Sequence, residues 1–272
     1  MRLPIHQVDA FVTGPAPGGV FTGNPAAVVA LPDWLPDAVL AAIAAENNLA
    51  ETAFLRGEGA ARDLRWFTPA VEVALCGHAT LASGHVVLGE GHDVARFATR
   101  KAGELTVARA GERLALRLPR FEAAPADAPE GLAEALGVEI PELLRARYAP
   151  DEWDDVVVLP SEADVAALDP DMRALRTVGG PDGRSRGVIA TARAGGGFAS
   201  RYFAPAAGID EDPFTGSAHS VLAPLWAARI GSGVLEARQI SARGGAATCR
   251  VEAEAVVLEG RAVTYLVGEI EV

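Results

Sequence analysis

The chain has 272 residues, half of them hydrophobic, and its 24 basic and 36 acidic side chains leave a formal charge of −12. That length suits two ordinary domains, and the acidic balance argues against a nucleic-acid or anionic-membrane partner, since both need clustered cations. Two cysteines, Cys76 and Cys249, are too few for a disulfide framework or a cysteine-based zinc site, so a reduced, cytoplasmic setting is expected.

Lys101 is the sole lysine and lies in a turn-like TRKAGELT, which makes Schiff-base chemistry a poor reading. The start, MRLPIHQVDAFV, lacks the apolar stretch of a secretory signal. No apolar run reaches the roughly 18 residues of a membrane helix.

Taken in order, IHQVDAFV alternates polar and apolar residues and predicts a strand, and AAVVAL predicts a second after the breaker-rich TGPAPGGVFTGNP. LPDAVLAAIAAENN has helical spacing and ends on two asparagines. ETAFLRG and DLRWFTP read as strands, HATLASGHVVL as a buried helix apolar nearly all round, and GELTVARAGERLALRLPR as a hairpin. Residues 121–130 turn to Ala, Pro and acid, a linker composition. The expected division is therefore a first lobe of residues 1–120 and a second of 121–272, with the last strand able to return to the first.

Beyond the linker, GLAEALGVE and PELLRAR predict helices, and DDVVVLP, RGVIATAR and GFASRYFAP predict strands. A second apolar helix contains Pro224, which should kink it or limit its first turns. CRVEAEAVVLEGRAVTYLVGEIEV predicts a closing hairpin turned at residues 259–261.

One phrase occurs twice: RWFTPAVEVALCGHATLA at 65–82 and RYFAPAAGIDEDPFTGSAHSVLA at 201–223. In each, Pro69 or Pro205 ends a strand, and a loop leads to Gly77 or Gly216 at the start of an apolar helix. Such a start leaves backbone N–H groups unpaired at the positive end of the helix dipole, and glycine admits close approach. Two of them meeting across a lobe interface would hold a small carboxylate. The plainer alternative is two ordinary capped helices, with His78 and Ser217 as caps.

Glu51 opens a strand just after a helix, where its carboxylate can face a cleft or solvent. Asp212 precedes the second helix start, as a loop acid or a proton-transfer group. Glu46, Asp210 and Glu211 fit solvated acids. His6, His85, His92 and His219 form no ligand motif with one another or with the cysteines, so no metal is expected. Cys76 faces Thr215 across the two phrases, which leaves a paired-thiol racemase incomplete, and Cys76 equally fits a small buried hydrophobe. The glycine-rich stretches match neither the dinucleotide nor the Walker pattern.

The set VDAF, GNPAAVV, NNLAETAFL, RWFTP…CGHATLA and FAP…EDPFTGSAH resembles the phenazine-biosynthesis isomerase-like (PhzF-like) family over nearly the whole chain. The resemblance implies an α+β fold related to diaminopimelate epimerase. Two pseudo-symmetric lobes would each wrap a curved, mostly antiparallel sheet around a central apolar helix, with the site between them. It implies Glu51 as the catalytic carboxylate, with Asp212 and His78 assisting proton transfer. Gly77, Gly216 and Ser217 would bind the substrate carboxylate, beside the matching motif positions Asn24 and Cys76. It further implies no cofactor, a small carboxylate as partner, and a homodimer. The expected function is cofactor-independent isomerisation of that carboxylate. An amino-acid epimerase or racemase, or a non-catalytic protein that binds a small acid, are the alternatives.

Overall fold

The computed structural model describes residues 1–15, 19–150, 152–178 and 185–272. In chain order its elements are β1 (Arg2–Val12), β2 (Asn24–Leu31), α1 (Asp37–Asn47), β3 (Glu51–Arg56), β4 (Ala61–Phe67), β5 (Glu72–Val73), α2 (Gly77–Gly89), β6 (Val94–Thr99), β7 (Glu104–Ala110) and β8 (Arg113–Pro119). There follow β9 (Ala123–Pro125), α3 (Leu132–Leu136), β10 (Glu142–Ala149), β11 (Glu152–Val158), α4 (Glu162–Ala166), α5 (Met172–Leu175), β12 (Ser185–Ala194) and β13 (Gly197–Phe203). After a 3₁₀ turn at Pro205–Ala207 come α6 (Gly216–Ile230), β14 (Val234–Gln239), β15 (Gly245–Val251) and β16 (Ala255–Glu271). Among the described residues no helix is long and apolar enough to cross a membrane.

The chain divides into two compact units: Met1–Leu118 with Gly245–Ala247 and Val257–Val272, and Pro119–Gly244 with Thr248–Val256. In the first unit the strands run β1-β2-β3-β4-β6-β7-β8, and β16 hydrogen-bonds both β8 and β1, so the order returns to its start. Helix α2 packs against β1, β2, β3, β6 and β7. Its small residues permit this: a Cβ on Gly84 would stand 2.4 Å from Val107 Cγ1. On the outer side α1 covers a core of Leu40, Ile43, Ala27, Val29, Phe54 and Phe67. With helices on both faces, β3 is buried from Glu51 through Leu55 rather than alternating.

The second unit repeats the plan. Successive pairs β1–β2, β2–β3, β3–β4 and β4–β6 are antiparallel, parallel, antiparallel, parallel. The pairs β10–β11, β11–β12, β12–β13 and β13–β14 follow the same sequence. A parallel pair needs a crossover, and the helices supply it. Helix α1 joins β2 to β3 and α2 lies between β4 and β6; α4 and α5 join β11 to β12 and α6 joins β13 to β14. Leu132, Val165 and Leu175 from the short helices, with Leu168 from the link between α4 and α5, bury against Val157, Val188, Ala190 and Phe203.

The registers align the two units residue by residue. Thr52 pairs with Phe67 and Val188 with Phe203. Matching those phenylalanines sets Glu51 against Gly187, each one residue earlier, with parallel partners Ala26 and Asp154.

Two local expectations are corrected. PELLRAR is strand β10, because it pairs with β11 on one side and β9 on the other. The closing turn is not at residues 259–261: β16 runs unbroken from Ala255 to Glu271 and pairs with β1 from Arg2 to Val12. Gly260 is instead a close approach, since a Cβ there would stand 2.4 Å from the Phe11 ring. Pro224 lies inside α6, which continues to Ile230. Proline frees the carbonyl four residues back, and that carbonyl, on Ser220, accepts a hydrogen bond from the Phe121 N–H at 3.3 Å.

Candidate active site

Four of the sequence-selected residues converge in the first unit. Helix α1 ends on Asn48 in the left-handed conformation, φ 48°, its N–H bonded to the Ala44 carbonyl. Asn47 Nδ2 donates to Thr52 Oγ1 at 3.0 Å and pins the start of β3, which carries Glu51 inward. Asn24 opens β2 opposite Ala10, beside a bulge where Phe11 takes φ 59°. Gly23 makes room there, as a Cβ would sit 2.3 Å from the Ala10 carbonyl oxygen. Cys76 caps α2 and His78 is its second residue.

His78 is 3% exposed and stands at the centre of the group. Its Nδ1 lies 3.0 Å from Asn24 Nδ2 and 3.6 Å from Cys76 Sγ. Its Nε2 lies 3.0 Å from Glu51 Oε2. That pair is at ion-pair distance but is not aligned as a hydrogen bond, and Oε2, although buried, accepts none among the described residues. Glu51 itself is only 9% exposed. A buried carboxylate oxygen without a donor costs free energy, so this atom is poised for a proton from elsewhere.

Burial alone would lower the basicity of His78, but the Cys76 sulfur and the Glu51 carboxylate more than offset it and hold its pKa well above the ordinary value of 6.5. Burial, reinforced by Glu51, pushes the Cys76 thiol up to about 11. Near neutrality the sulfur is therefore protonated. Asn24 serves either ring state, since an amide presents NH₂ to a bare nitrogen or its oxygen to an N–H.

Neither α2 nor α6 has a side-chain hydrogen bond at its N-cap, and neither has an acid in its first turn. His78 and Ser217 thus do not act as caps. Gly77 and Gly216 lie in buried first turns, whose leading backbone N–H groups have no partner within the helix. In the second unit Asp212 Oδ2 accepts the Thr215 hydroxyl, and Gln239 bridges the Asp212 carbonyl at 2.6 Å and the Thr215 N–H at 2.8 Å. Ser217 Oγ accepts from Arg186 Nη2 at 3.3 Å.

The family model for phenazine biosynthesis-like proteins (PhzC-PhzF) matches residues 8–268. The chain belongs to this family. An uncharacterized isomerase of Pseudomonas aeruginosa is 48% identical over 99% of both chains. A PhzF-family protein of Enterococcus faecalis superposes with TM-score 0.88 at 39% identity, covering 100% of both chains. Hydroxyproline epimerase of Agrobacterium vitis shares the fold at TM-score 0.61 and 13% identity, over 99% of this chain and 92% of that one. Like its relatives, this PhzC-PhzF member is an isomerase.

Spacing along the chain missed one feature of this family member. Arg65 and Arg201, the first letters of the repeated phrase, each clamp an acid of the following loop in a two-pronged pair. Arg65 takes Glu72 at 2.7 and 2.9 Å, and Arg201 takes Glu211 at 2.7 and 3.0 Å. Each guanidinium also lies over the phrase's own phenylalanine, Phe67 at 5.0 Å and Phe203 at 4.9 Å. Glu211, expected in solvent, is therefore structural.

Proposed function

We propose that the protein relocates a proton between carbons of a small carboxylate, with Glu51 as the general base and acid. The observation that carries this is the buried Glu51 Oε2, which accepts no hydrogen bond and lies 3.0 Å from His78 Nε2. Glu51 takes an activated C–H proton on Oε2 and returns it to a different carbon. The His78 imidazolium, held by Asn24, stabilises the negative charge that develops on the substrate between the two transfers. Gly77, Gly216 and Ser217 are the proposed donors to the carboxylate, and Asp212 the proposed second acid–base group. These roles are filled by side chains and backbone alone.

The unit comparison argues against a second base at the positions matching Glu51 and Cys76. An epimerase working from opposite faces needs a second base, and the position matching Glu51 is Gly187. A Cβ at Gly187 would sit 2.6 Å from the Phe203 carbonyl oxygen and 2.8 Å from the Tyr202 ring. The residue matching Cys76 is Thr215, and Cys76 itself holds its proton to about pH 11. Neither is suited to abstract a proton at pH 7.

The test is deuterium wash-in. A panel of small carboxylic acids, cyclic dihydro-aromatic amino acids included, is incubated with enzyme in D₂O and read by mass. Wild type should label at least one member at carbon, and Glu51→Gln should slow the labelling about 10²–10⁴-fold. Labelling by Glu51→Gln at the wild-type rate removes Glu51 as the base.

A further inference from the structure

Glu51, Cys76 and His78 present a carboxylate oxygen, a sulfur and a ring nitrogen that all lie within 4.8 Å of one another, every one buried. We propose that this cluster is an inhibitory site for a zinc-like divalent cation, bound by Cys76 Sγ, His78 Nε2 and Glu51 Oε2. The inhibitory half rests on the isomerase reading above; the binding half stands without it.

The donor set selects the ion. Magnesium and calcium take oxygen ligands, whereas sulfur with imidazole and one carboxylate suits zinc and its neighbours. Three protein ligands with a fourth position open is the pattern of exchangeable zinc sites. Zinc–ligand bonds of about 2.0–2.3 Å fix tetrahedral edges of roughly 3.3–3.6 Å between donors. The Nε2–Oε2 separation of 3.0 Å and the Sγ–Nε2 separation of 4.0 Å lie on either side of that range. Small side-chain adjustments would seat an ion.

Two further features fit. Oε2 has no hydrogen bond to give up. A metal-bound histidine usually hands its other ring N–H to an acceptor, and the Asn24 amide at 3.0 Å from Nδ1 supplies one by presenting its oxygen. Coordination displaces the thiol proton, and the imidazolium proton where present, to solvent. With Glu51 bound to metal, the proposed base is no longer free to abstract the substrate proton.

Chelator-treated protein is titrated with Co²⁺ as a spectroscopic substitute and then with Zn²⁺. One equivalent should bind, with a sulfur-to-cobalt absorption in the near ultraviolet that Zn²⁺ abolishes. Cys76→Ser should lose that band, while Cys249→Ser keeps it. Asn24→Ala should keep the band and bind about 10–100-fold more weakly. No band in wild type, a band retained by Cys76→Ser, or one lost in Cys249→Ser overturns the site.

One equivalent of Zn²⁺ should also stop deuterium wash-in. Metal-free enzyme that labels substrate and continues to do so with zinc bound overturns the inhibitory half and leaves the isomerase reading standing. Metal-free enzyme that labels nothing, yet binds one Co²⁺ through Cys76, defeats that reading while the metal site stands.

Discussion

The two copies of the repeated phrase share their scaffolding and differ in their chemistry. Both use an arginine to tie strand to loop, Arg65 to Glu72 and Arg201 to Glu211, and both start an uncapped apolar helix at glycine. In both, the side chain four residues after the N-cap bonds back to the N-cap carbonyl: Thr80 Oγ1 to Cys76 at 2.5 Å, His219 Nδ1 to Thr215 at 2.8 Å. At the reactive positions they part. Glu51, Cys76 and His78 in the first unit answer to Gly187, Thr215 and Ser217 in the second. Duplication fixed the geometry of a helix start, and only one copy carries a clustered acid and base.

If the arginine clamps are the shared scaffold, breaking either should unfold its own unit's loop. Arg65 is 2% exposed and also reaches Asp37 at 2.9 Å. Arg65→Met leaves Glu72 with only the exposed Arg100, at 3.2 Å, and should lower stability by about 1–3 kcal/mol in denaturant titration. Arg201 is more accessible than Arg65, its side chain 14% exposed, so Arg201→Met should cost less. Equal, negligible losses would show that the clamps are surface pairs of little weight.

The two buried histidines sharpen the contrast, because their pH signs are opposite. His219 is stacked on Phe214 at 4.1 Å, beside Phe198 at 5.6 Å, and burial lowers its pKa to about 4. The unfolded chain takes up this proton near 6.5 and the folded chain only near 4. Its contribution is present above 6.5 and is lost as pH falls toward 4, by roughly 3 kcal/mol. His219→Leu should flatten that part of the stability–pH curve, as read from urea midpoints; an unchanged slope contradicts the assignment. His78 acts the other way. Its raised pKa stabilises the fold fully below 6.5, and that contribution fades only as pH rises through the folded value.

Much of this was legible in the sequence. The phrase, its buried helices, the strand-opening Glu51 and the helix-second His78 all followed from local pattern, since periodicity and breakers report local geometry. What escaped was set by tertiary contact. PELLRAR has helical spacing, yet β9 and β11 flank it and make it a strand. Gly260 reads as a turn, yet the Phe11 ring is the reason no side chain stands there. The acid partners of Arg65 and Arg201 sit at different distances along the chain, so no fixed spacing announces them. Glu51 reaches His78 only through the parallel pairing of β3 with β2 and the packing of α2 against both.

The central claim is that Glu51 and His78 form a buried acid–base pair. Nitrogen-15 NMR of the histidine rings across pH 5–9 tests it most directly. Wild type at pH 7 should show His78 as an imidazolium and His219 as a neutral ring, and Glu51→Gln should return His78 to the neutral form. A neutral His78 at pH 7 in wild type, or an imidazolium undisturbed by Glu51→Gln, contradicts the account.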